Sequence, residues 1–403
     1  MQAASGRDAP DRCPGAVQVH AAADGGLARV RLPGGRLPAE GLAVLRAAAA
    51  DLGDPALELT SRGNVQVRAL RPGAELELAA RLSQAGLLPS DTHERVRNII
   101  ASPLSGRDGA GLVDVRPVVA AFDAGLCADP SLAALPGRFL ATLDDGRGDV
   151  SPLGGDVGLH GDRLLLAGAP TTARTCGFPA GLTTPRTCGD PAGPTVAGGW
   201  DDPAELLLAA ARAFLAERAS QGGTAWRLAE LTDGPARVAA RLAATVDTGI
   251  GRRDGGAGPA VGRTPQAGGP VALTVVVPLG LLTQEQSAAL VAASPGEIIV
   301  TPWRTVVVPD VPVDEAGAVE ALLTAAGLVT DPASPWAGVT ACAGRPGCAK
   351  ALADVRADAR AAVAGGLDHA LPVHWIGCER RCGAPKGRHV EMLATADGYR
   401  VVS

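Results

Sequence analysis

The chain has 403 residues, which is enough to bury a large core and to form two to four compact units. Of these residues 46% are hydrophobic and only 2% aromatic, and no apolar run reaches the length of about 18 residues that a membrane span requires. The net charge of −5 gives no support for nucleic-acid binding, and no signal peptide is recognisable. We therefore expect a cytoplasmic protein without nucleic-acid or membrane partners.

The N-terminal part predicts a unit of the order strand, helix, strand, strand, helix. Residues 28–32 alternate between apolar and polar side chains, as a half-buried strand does, and a Pro-Gly-Gly turn follows. Pro38 stands where a helix would begin, and Gly53 follows its last apolar residue. The other predicted elements of this unit are strands at 57–60 and 64–70 and a helix at 74–85.

The same order returns about 240 residues later. Residues 275–282 parallel residues 30–37 and keep the proline, the second glycine and the final leucine. A capping box from Thr283 to Gln286 predicts the helix start. Strands at 297–301 and 305–308 and a helix to about residue 326 follow. Two such half-units can pair about a pseudo-twofold axis, although a strand, Pro-Gly turn and helix also recur in unrelated α/β proteins.

The segment between the repeats predicts strands at 139–143 and 162–166 and a helix at 203–219. Residues 174–181 nearly recur as 186–193, which predicts a duplicated surface loop. Its cysteines, Cys176 and Cys188, lie 12 residues apart without a histidine, so we assign them no ligand role. Residues 251–269 are rich in Gly, Pro and Arg and predict a linker.

Four cysteines near the C-terminus form two pairs with C-x5-C and C-x3-C spacing, separated by 29 residues: Cys342, Cys348, Cys378 and Cys382. Glycines and prolines frame both pairs, so that the backbone can curl and bring the sulfur atoms together. Four thiolates hold either zinc or an iron–sulfur cluster. Zinc sites mostly use shorter spacings, which favours a 4Fe-4S cluster, with zinc or unligated core thiols as alternatives. The other four cysteines are predicted not to bind metal: Cys13, Cys127, Cys176 and Cys188.

Duplicated halves followed by Cys-x5-Cys and Cys-x3-Cys make the chain resemble the sulfite and nitrite reductase superfamily. Within it, the chain most resembles the precorrin-3B synthase family, through residues 11–15, 59–66 and 95–103. The resemblance implies an α+β fold with two pseudo-symmetric ferredoxin-like half-domains and a C-terminal 4Fe-4S site. The predicted domains are residues 1–90, 91–250, 251–330 and 331–403, the second of which would bind the tetrapyrrole.

The resemblance also implies three substrate-binding arginines. Arg62 in Thr-Ser-Arg-Gly-Asn and Arg97 in Arg-Val-Arg-Asn match basic residues that bind the anion in the reductases. Of the two reductase lysines after a Leu-Pro pair, one is matched by Arg138 and the other by Leu140. Loss of a cation argues against reduction of a small anion, but arginine forks suit the carboxylates of a tetrapyrrole.

The cluster loop also departs from the reductases, because charged residues 379–381 follow its third cysteine. The precorrin-3B synthase family is understood to use its cluster without siroheme, together with a mononuclear non-haem iron, dioxygen and an NADH-linked or ferredoxin-like electron donor. It hydroxylates precorrin-3A at C20 and closes a lactone. The sequence assigns no ligands to the second iron, and we expect each histidine, including His93 beside Glu94, to be structural. The alternatives are a siroheme-dependent sulfite or nitrite reductase and a non-catalytic metal or tetrapyrrole-binding protein.

Overall fold

The computed structural model describes residues 13–175, 177–178, 199–247, 256–367, 371–385 and 387–402. The chain divides into two units. The central unit comprises residues 89–257 with 1–13, and the repeat unit comprises residues 14–88 and 258–403. Cys176 and Cys188 lie outside the described residues. The finer division into four domains stays a prediction.

The first repeat of the repeat unit has the predicted order with two additional short strands, one at its start and one directly before the first helix. Its first helix, Ala39–Leu52, ends at Gly53, which occupies the C-cap position and donates its N–H to the carbonyl of Ala49. The elements are β1 (His20–Ala22), β2 (Gly25–Val30), β3 (Arg36–Pro38), α1 (Ala39–Leu52), β4 (Leu57–Leu59), β5 (Val65–Leu70) and α2 (Ala74–Gln84).

The central unit is built on one mixed sheet with helices packed against it. Its strands lie side by side in chain order, and Phe139 packs against Phe214 in its core with 5.2 Å between the ring centroids. The elements are β6 (Ile99–Ala101), α3 (Arg116–Ala128), β7 (Ala141–Asp144), β8 (Val157–His160), β9 (Arg163–Leu166), β10 (Ala169–Thr175), β11 (Gly199–Trp200), α4 (Pro203–Ser220) and α5 (Gly234–Arg241). The predicted strands and the long helix of this segment are present, with β7 displaced by two residues from its predicted start.

The second repeat reproduces the first. Thr283 and Gln286 form the predicted capping box at the start of its first helix. Its elements are β12 (Gly262–Pro265), β13 (Val271–Val276), β14 (Leu281–Leu282), α6 (Gln284–Ala293), β15 (Glu297–Val300), β16 (Thr305–Val311) and α7 (Ala316–Ala325). The predicted linker is wrong at residues 262–265, which pair with β13 as an edge strand.

The two repeats exchange their third strands. Strand β3 pairs with β15 of the second repeat, while β14 pairs with β4 of the first repeat. Each five-stranded sheet is therefore completed by the other repeat, and the buried side chains of both repeats form one continuous core. This reciprocal arrangement confirms the predicted pair of pseudo-symmetric half-domains.

The C-terminal part of the repeat unit forms a separate four-stranded sheet with a small core of its own. Strands β17, β18 and β19 run parallel, and β20 is antiparallel to β19. The elements are β17 (Val339–Ala341), α8 (Val355–Ala364), β18 (Val373–Ile376), β19 (Val390–Thr395) and β20 (Gly398–Val402). None of the helices in the described ranges is both long and apolar enough to cross a membrane.

Candidate metal centre

Two adjacent parallel strands deliver one cysteine of each pair to the same edge of the C-terminal sheet. Cys342 follows β17 directly, and Cys378 lies two residues after the end of β18. Ala341 and Trp375 are register partners, and the Cys342 N–H donates to the carbonyl of Trp375 at 3.0 Å. Because the carboxyl ends of parallel strands meet at one edge, the pairing of β17 with β18 itself brings the two cysteine loops together.

Gly377 is the point at which the two loops touch. Its N–H donates to the Cys342 Sγ at 3.2 Å, and its carbonyl accepts from the Leu352 N–H at 2.9 Å. A Cβ at this position would lie 2.7 Å from the Cβ of Ala351, which is closer than real Cβ atoms approach one another. The absence of a side chain at residue 377 therefore permits the contact between the loops.

The first loop folds back on itself around Cys348. The Arg345 side chain donates to the carbonyl of Ala351 at 2.8 Å, and the Ala351 N–H donates to the carbonyl of Cys348 at 3.0 Å. Gly344 has a φ of +65°, and a side chain there would press on Val355 at 2.8 Å. These contacts hold the C-x5-C segment in a closed turn.

The second loop is the more accessible of the two. Residues 379–382 are exposed, and Cys382 is the one exposed member of the four cysteines, the other three being half-buried. Partial burial of its thiol raises the pKa of Cys382, nearby Arg380 lowers it, and Cys342, Cys378 and Cys348 raise it further. Cys382 is therefore the member of the four that is most accessible to solvent.

In the parts of the chain that the structure describes, no group of three or more His, Cys, Asp or Glu side chains is arranged to hold a single metal ion. The pairing of β17 with β18 nevertheless brings the two cysteine loops together, and the N–H of Gly377 donates to the Cys342 Sγ. Four thiolates are the ligands of a 4Fe-4S cluster, and hydrogen bonds to the sulfur atoms tune its reduction potential. The residues therefore fit a 4Fe-4S cluster, and their assignment as its ligands stays a prediction.

The structure shows what the three predicted substrate arginines contact. Arg97 is buried, and its guanidinium donates to both carboxylate oxygens of Asp123 at 2.7 Å. Arg138 is exposed and lies over the ring of Trp226 at 5.0 Å. Arg62 is half-buried in the turn between β4 and β5, and it belongs to the repeat unit, whereas the other two belong to the central unit. Substrate binding by the three arginines stays a prediction.

Both ring nitrogens of His93 lie within hydrogen-bond distance of partners, and a structural role for this histidine stays a prediction. Its Nδ1 lies 2.8 Å from the Ser90 hydroxyl, and its Nε2 donates to the carbonyl of Asp129 at 3.1 Å. Cys13 is half-buried, as is Cys127. Burial raises the pKa of the Cys127 thiol.

Sequence reasoning missed three residues that contact the cysteine loops, namely Arg68, Arg304 and His374. His374 is buried on β18, and its Nδ1 lies 2.8 Å from the Thr340 hydroxyl oxygen. Its Nε2 lies 3.2 Å from the carbonyl of Cys382, so that the Nε2–H must donate. Burial, together with the charge of Arg304, lowers the pKa of His374 to about 3. The ring is therefore neutral at physiological pH.

Comparisons with known proteins agree with this architecture. Residues 20–85 and 264–326 match the nitrite/sulfite reductase ferredoxin-like half domain. The fold resembles that of the Mycobacterium tuberculosis NirA protein, with a TM-score of 0.68, 18% sequence identity and coverage of 93% of this chain and 74% of that one. Both matched segments lie in the repeat unit, so the chain carries two nitrite/sulfite reductase ferredoxin-like half-domains, one in each repeat.

Two curated relatives match different shares of this chain. A precorrin-3B synthase from Sinorhizobium is 25% identical over 413 aligned residues, which cover 97% of this chain and 82% of the relative. A ferredoxin–nitrite reductase from Synechococcus elongatus is 33% identical, but over only 30% of this chain and 25% of its own length. The similarity to precorrin-3B synthase therefore extends over nearly the whole chain.

Proposed function

We propose that this protein is an oxygen-dependent monooxygenase that converts precorrin-3A into precorrin-3B. The observation that carries the proposal is the similarity to a precorrin-3B synthase over 97% of the chain, because it includes both repeats, the central unit and the cysteine loops. Cys342, Cys348, Cys378 and Cys382 would hold a 4Fe-4S cluster, which supplies electron transfer when bound. In the reaction one atom of dioxygen enters the product at C20, and two electrons with two protons reduce the other atom to water.

The arginines would recognise the substrate through its carboxylates. Arg62 and Arg138 are the better placed of the three, because the first is half-buried in a turn and the second is exposed. Arg97 already makes a bidentate pair with Asp123, so it would have to exchange that partner or act through it. A charge-assisted hydrogen bond to a carboxylate contributes about 1.5 to 3 kcal/mol to the binding free energy, so the loss of one arginine would weaken substrate binding measurably.

Leu140, two residues after Arg138, also favours this proposal over the reduction of a small anion. Leu140, at the place of a reductase lysine, is buried with 3% of its surface exposed. An apolar buried side chain supplies neither a positive charge nor a proton to a bound anion. We therefore expect weak or absent turnover of sulfite and nitrite.

A siroheme-dependent reductase is the second candidate, since the half-domain match and the local similarity to a ferredoxin–nitrite reductase favour it. One experiment separates the two. Anaerobically purified protein is incubated with precorrin-3A, a reductant and isotopically labelled dioxygen, and the product mass is followed. One labelled oxygen in the product supports the synthase. The reductase would be supported instead by sharp absorption bands of siroheme in the red, together with sulfite or nitrite turnover and no precorrin product.

A further inference from the structure

A buried arginine from the first repeat contacts the first cysteine loop. Arg68 on β5 is 8% exposed, and its NH2 group donates to the carbonyl of Gly347, next to Cys348, at 2.7 Å. Its Nε and NH2 also donate to both oxygens of Asp24, at 2.9 and 3.0 Å. Burial works to lower the pKa of Arg68, but the Asp24 hydrogen bond and the charge of Glu58 outweigh it and raise the pKa. Arg68 is therefore a fixed positive charge beside Cys348.

A buried arginine from the second repeat contacts the second cysteine loop. Arg304 is 8% exposed, and its NH2 group donates to the carbonyl of Gly383, next to Cys382, at 2.9 Å. Burial lowers the pKa of Arg304 from its usual value, and the charges of Glu58 and Cys342 oppose that shift. The neighbouring carbonyl, that of Cys382, is the one that His374 holds. Two consecutive carbonyls at the fourth cysteine are thus held by donors from two different elements.

The backbone at Arg304 is strained, and the first repeat shows what an unstrained version looks like. The turns of the two repeats are equivalent, because Thr60 and Thr301 close them with the same pair of backbone hydrogen bonds. Gly63 occupies the third position after Thr60 with a φ of +64°, and Arg304 occupies the third position after Thr301 with a φ of +59°. This left-handed conformation is unfavourable for a residue that carries a side chain. An arginine in a position that suits glycine points to a role for its side chain.

We propose that Arg68 and Arg304, one from each repeat, are positioning residues that seat the two cysteine loops and raise the reduction potential of the cluster. This inference rests on the proposed cluster but not on the proposed reaction. Four thiolates make the cluster negatively charged, and reduction adds a further negative charge. Nearby fixed positive charges stabilise the reduced state more than the oxidised state, so they raise the potential.

The test uses substitutions that separate charge from shape. Arg304→Lys keeps the charge without the guanidinium fork, whereas Arg304→Gln removes the charge, and the same pair is made at Arg68. The matched control is Arg227→Gln in the central unit, since Arg227, like Arg68, donates to a carboxylate, that of Asp156, and to a backbone carbonyl, that of Gly154. Iron, acid-labile sulfide and the cluster's reduction potential are measured for each purified protein.

We expect a lower reduction potential in both Gln variants, a smaller shift in both Lys variants and no shift in the control. Arg304→Gly removes the side chain without disfavouring the folded turn, because glycine adopts the positive φ readily and reproduces the turn of the first repeat. This variant should unfold at the same temperature as the parent or higher, yet show a lower potential or a reduced iron content. A parental potential and full iron in Arg304→Gly and Arg68→Gln would overturn the inference. A parent protein that binds no cluster would instead refute the cluster assignment itself.

Discussion

Replacement of Gly377 by alanine tests the contact between the cysteine loops. The new Cβ would lie 2.7 Å from the Cβ of Ala351 and 3.6 Å from the Cys342 Sγ. Ala351 is 1% exposed, and its Cβ is attached directly to the backbone, so relief requires the two loops to move apart. Overpacking of this kind costs about 1 to 3 kcal/mol, or about a 5- to 150-fold shift against the seated loops. We expect Gly377→Ala to retain markedly less iron per chain and to lose it faster to a chelator.

Two further variants make this prediction specific. Ala351→Gly in the Gly377→Ala background removes the opposing Cβ and should restore iron retention, since the two substitutions act on one contact. Gly296→Ala is the control, because a Cβ there meets nothing within 4 Å and its φ is not in the left-handed region. Unchanged iron content in Gly377→Ala, or failure of Ala351→Gly to rescue it, would refute the packing argument.

Three other predictions concern ligands, substrate and pH. Serine at any of the four proposed ligand cysteines should abolish or disrupt the cluster as judged by iron and acid-labile sulfide, whereas serine at Cys13 or Cys127 should not; a cluster that survives loss of a proposed ligand contradicts the assignment. Arg62→Ala and Arg138→Ala should weaken precorrin binding by about one to two orders of magnitude in titrations, with parental affinity in either variant removing that residue from the site. Burial raises the pKa of Asp149 to about 7, against an opposing hydrogen bond from Ser102 at 2.6 Å. Because the same carboxyl titrates near pH 4 in the unfolded chain, the folded protein binds more protons between these values, and the contribution of Asp149 to stability falls as pH rises from about 4 to about 7. Asp149→Asn should therefore flatten that decline by an amount on the order of 1 to 4 kcal/mol, measured as thermal unfolding at several pH values, and a parental pH dependence would contradict it.

Local sequence signals correctly predicted those parts of the fold that depend on neighbouring residues. The capping box at Thr283 and Gln286 and the terminating Gly53 act within one turn of their helices, so a single sequence reveals them. The prediction of a linker at residues 262–265 was wrong because it also used local composition alone. A four-residue edge strand with Gly and Pro at its ends has the composition of a linker, and its strand character comes from pairing with β13.

The candidate site shows the same division between local and long-range information. Cysteine spacing alone predicts a cluster at the C-terminal end, because the cysteines of each pair are close in sequence; that these cysteines bind a cluster stays a prediction. The partner of Arg97 was not predictable, since nothing in its own motif indicates Asp123, 26 residues away. Alignment of the two repeats could have drawn attention to Arg304, which stands where the first repeat has Gly63, but not to its contact with Gly383.

By itself, then, the sequence determined the duplicated half-domains and the two cysteine pairs, both of which are patterns of residue type and spacing. Only the tertiary structure decided that the repeats exchange β3 and β14 and that Arg68 and Arg304 reach the loops beside Cys348 and Cys382. The Arg68 contact joins residues 279 positions apart in sequence, and the Arg304 contact joins residues 79 positions apart. Such contacts depend on how strands pair and pack in three dimensions, which the local preferences of either segment do not specify.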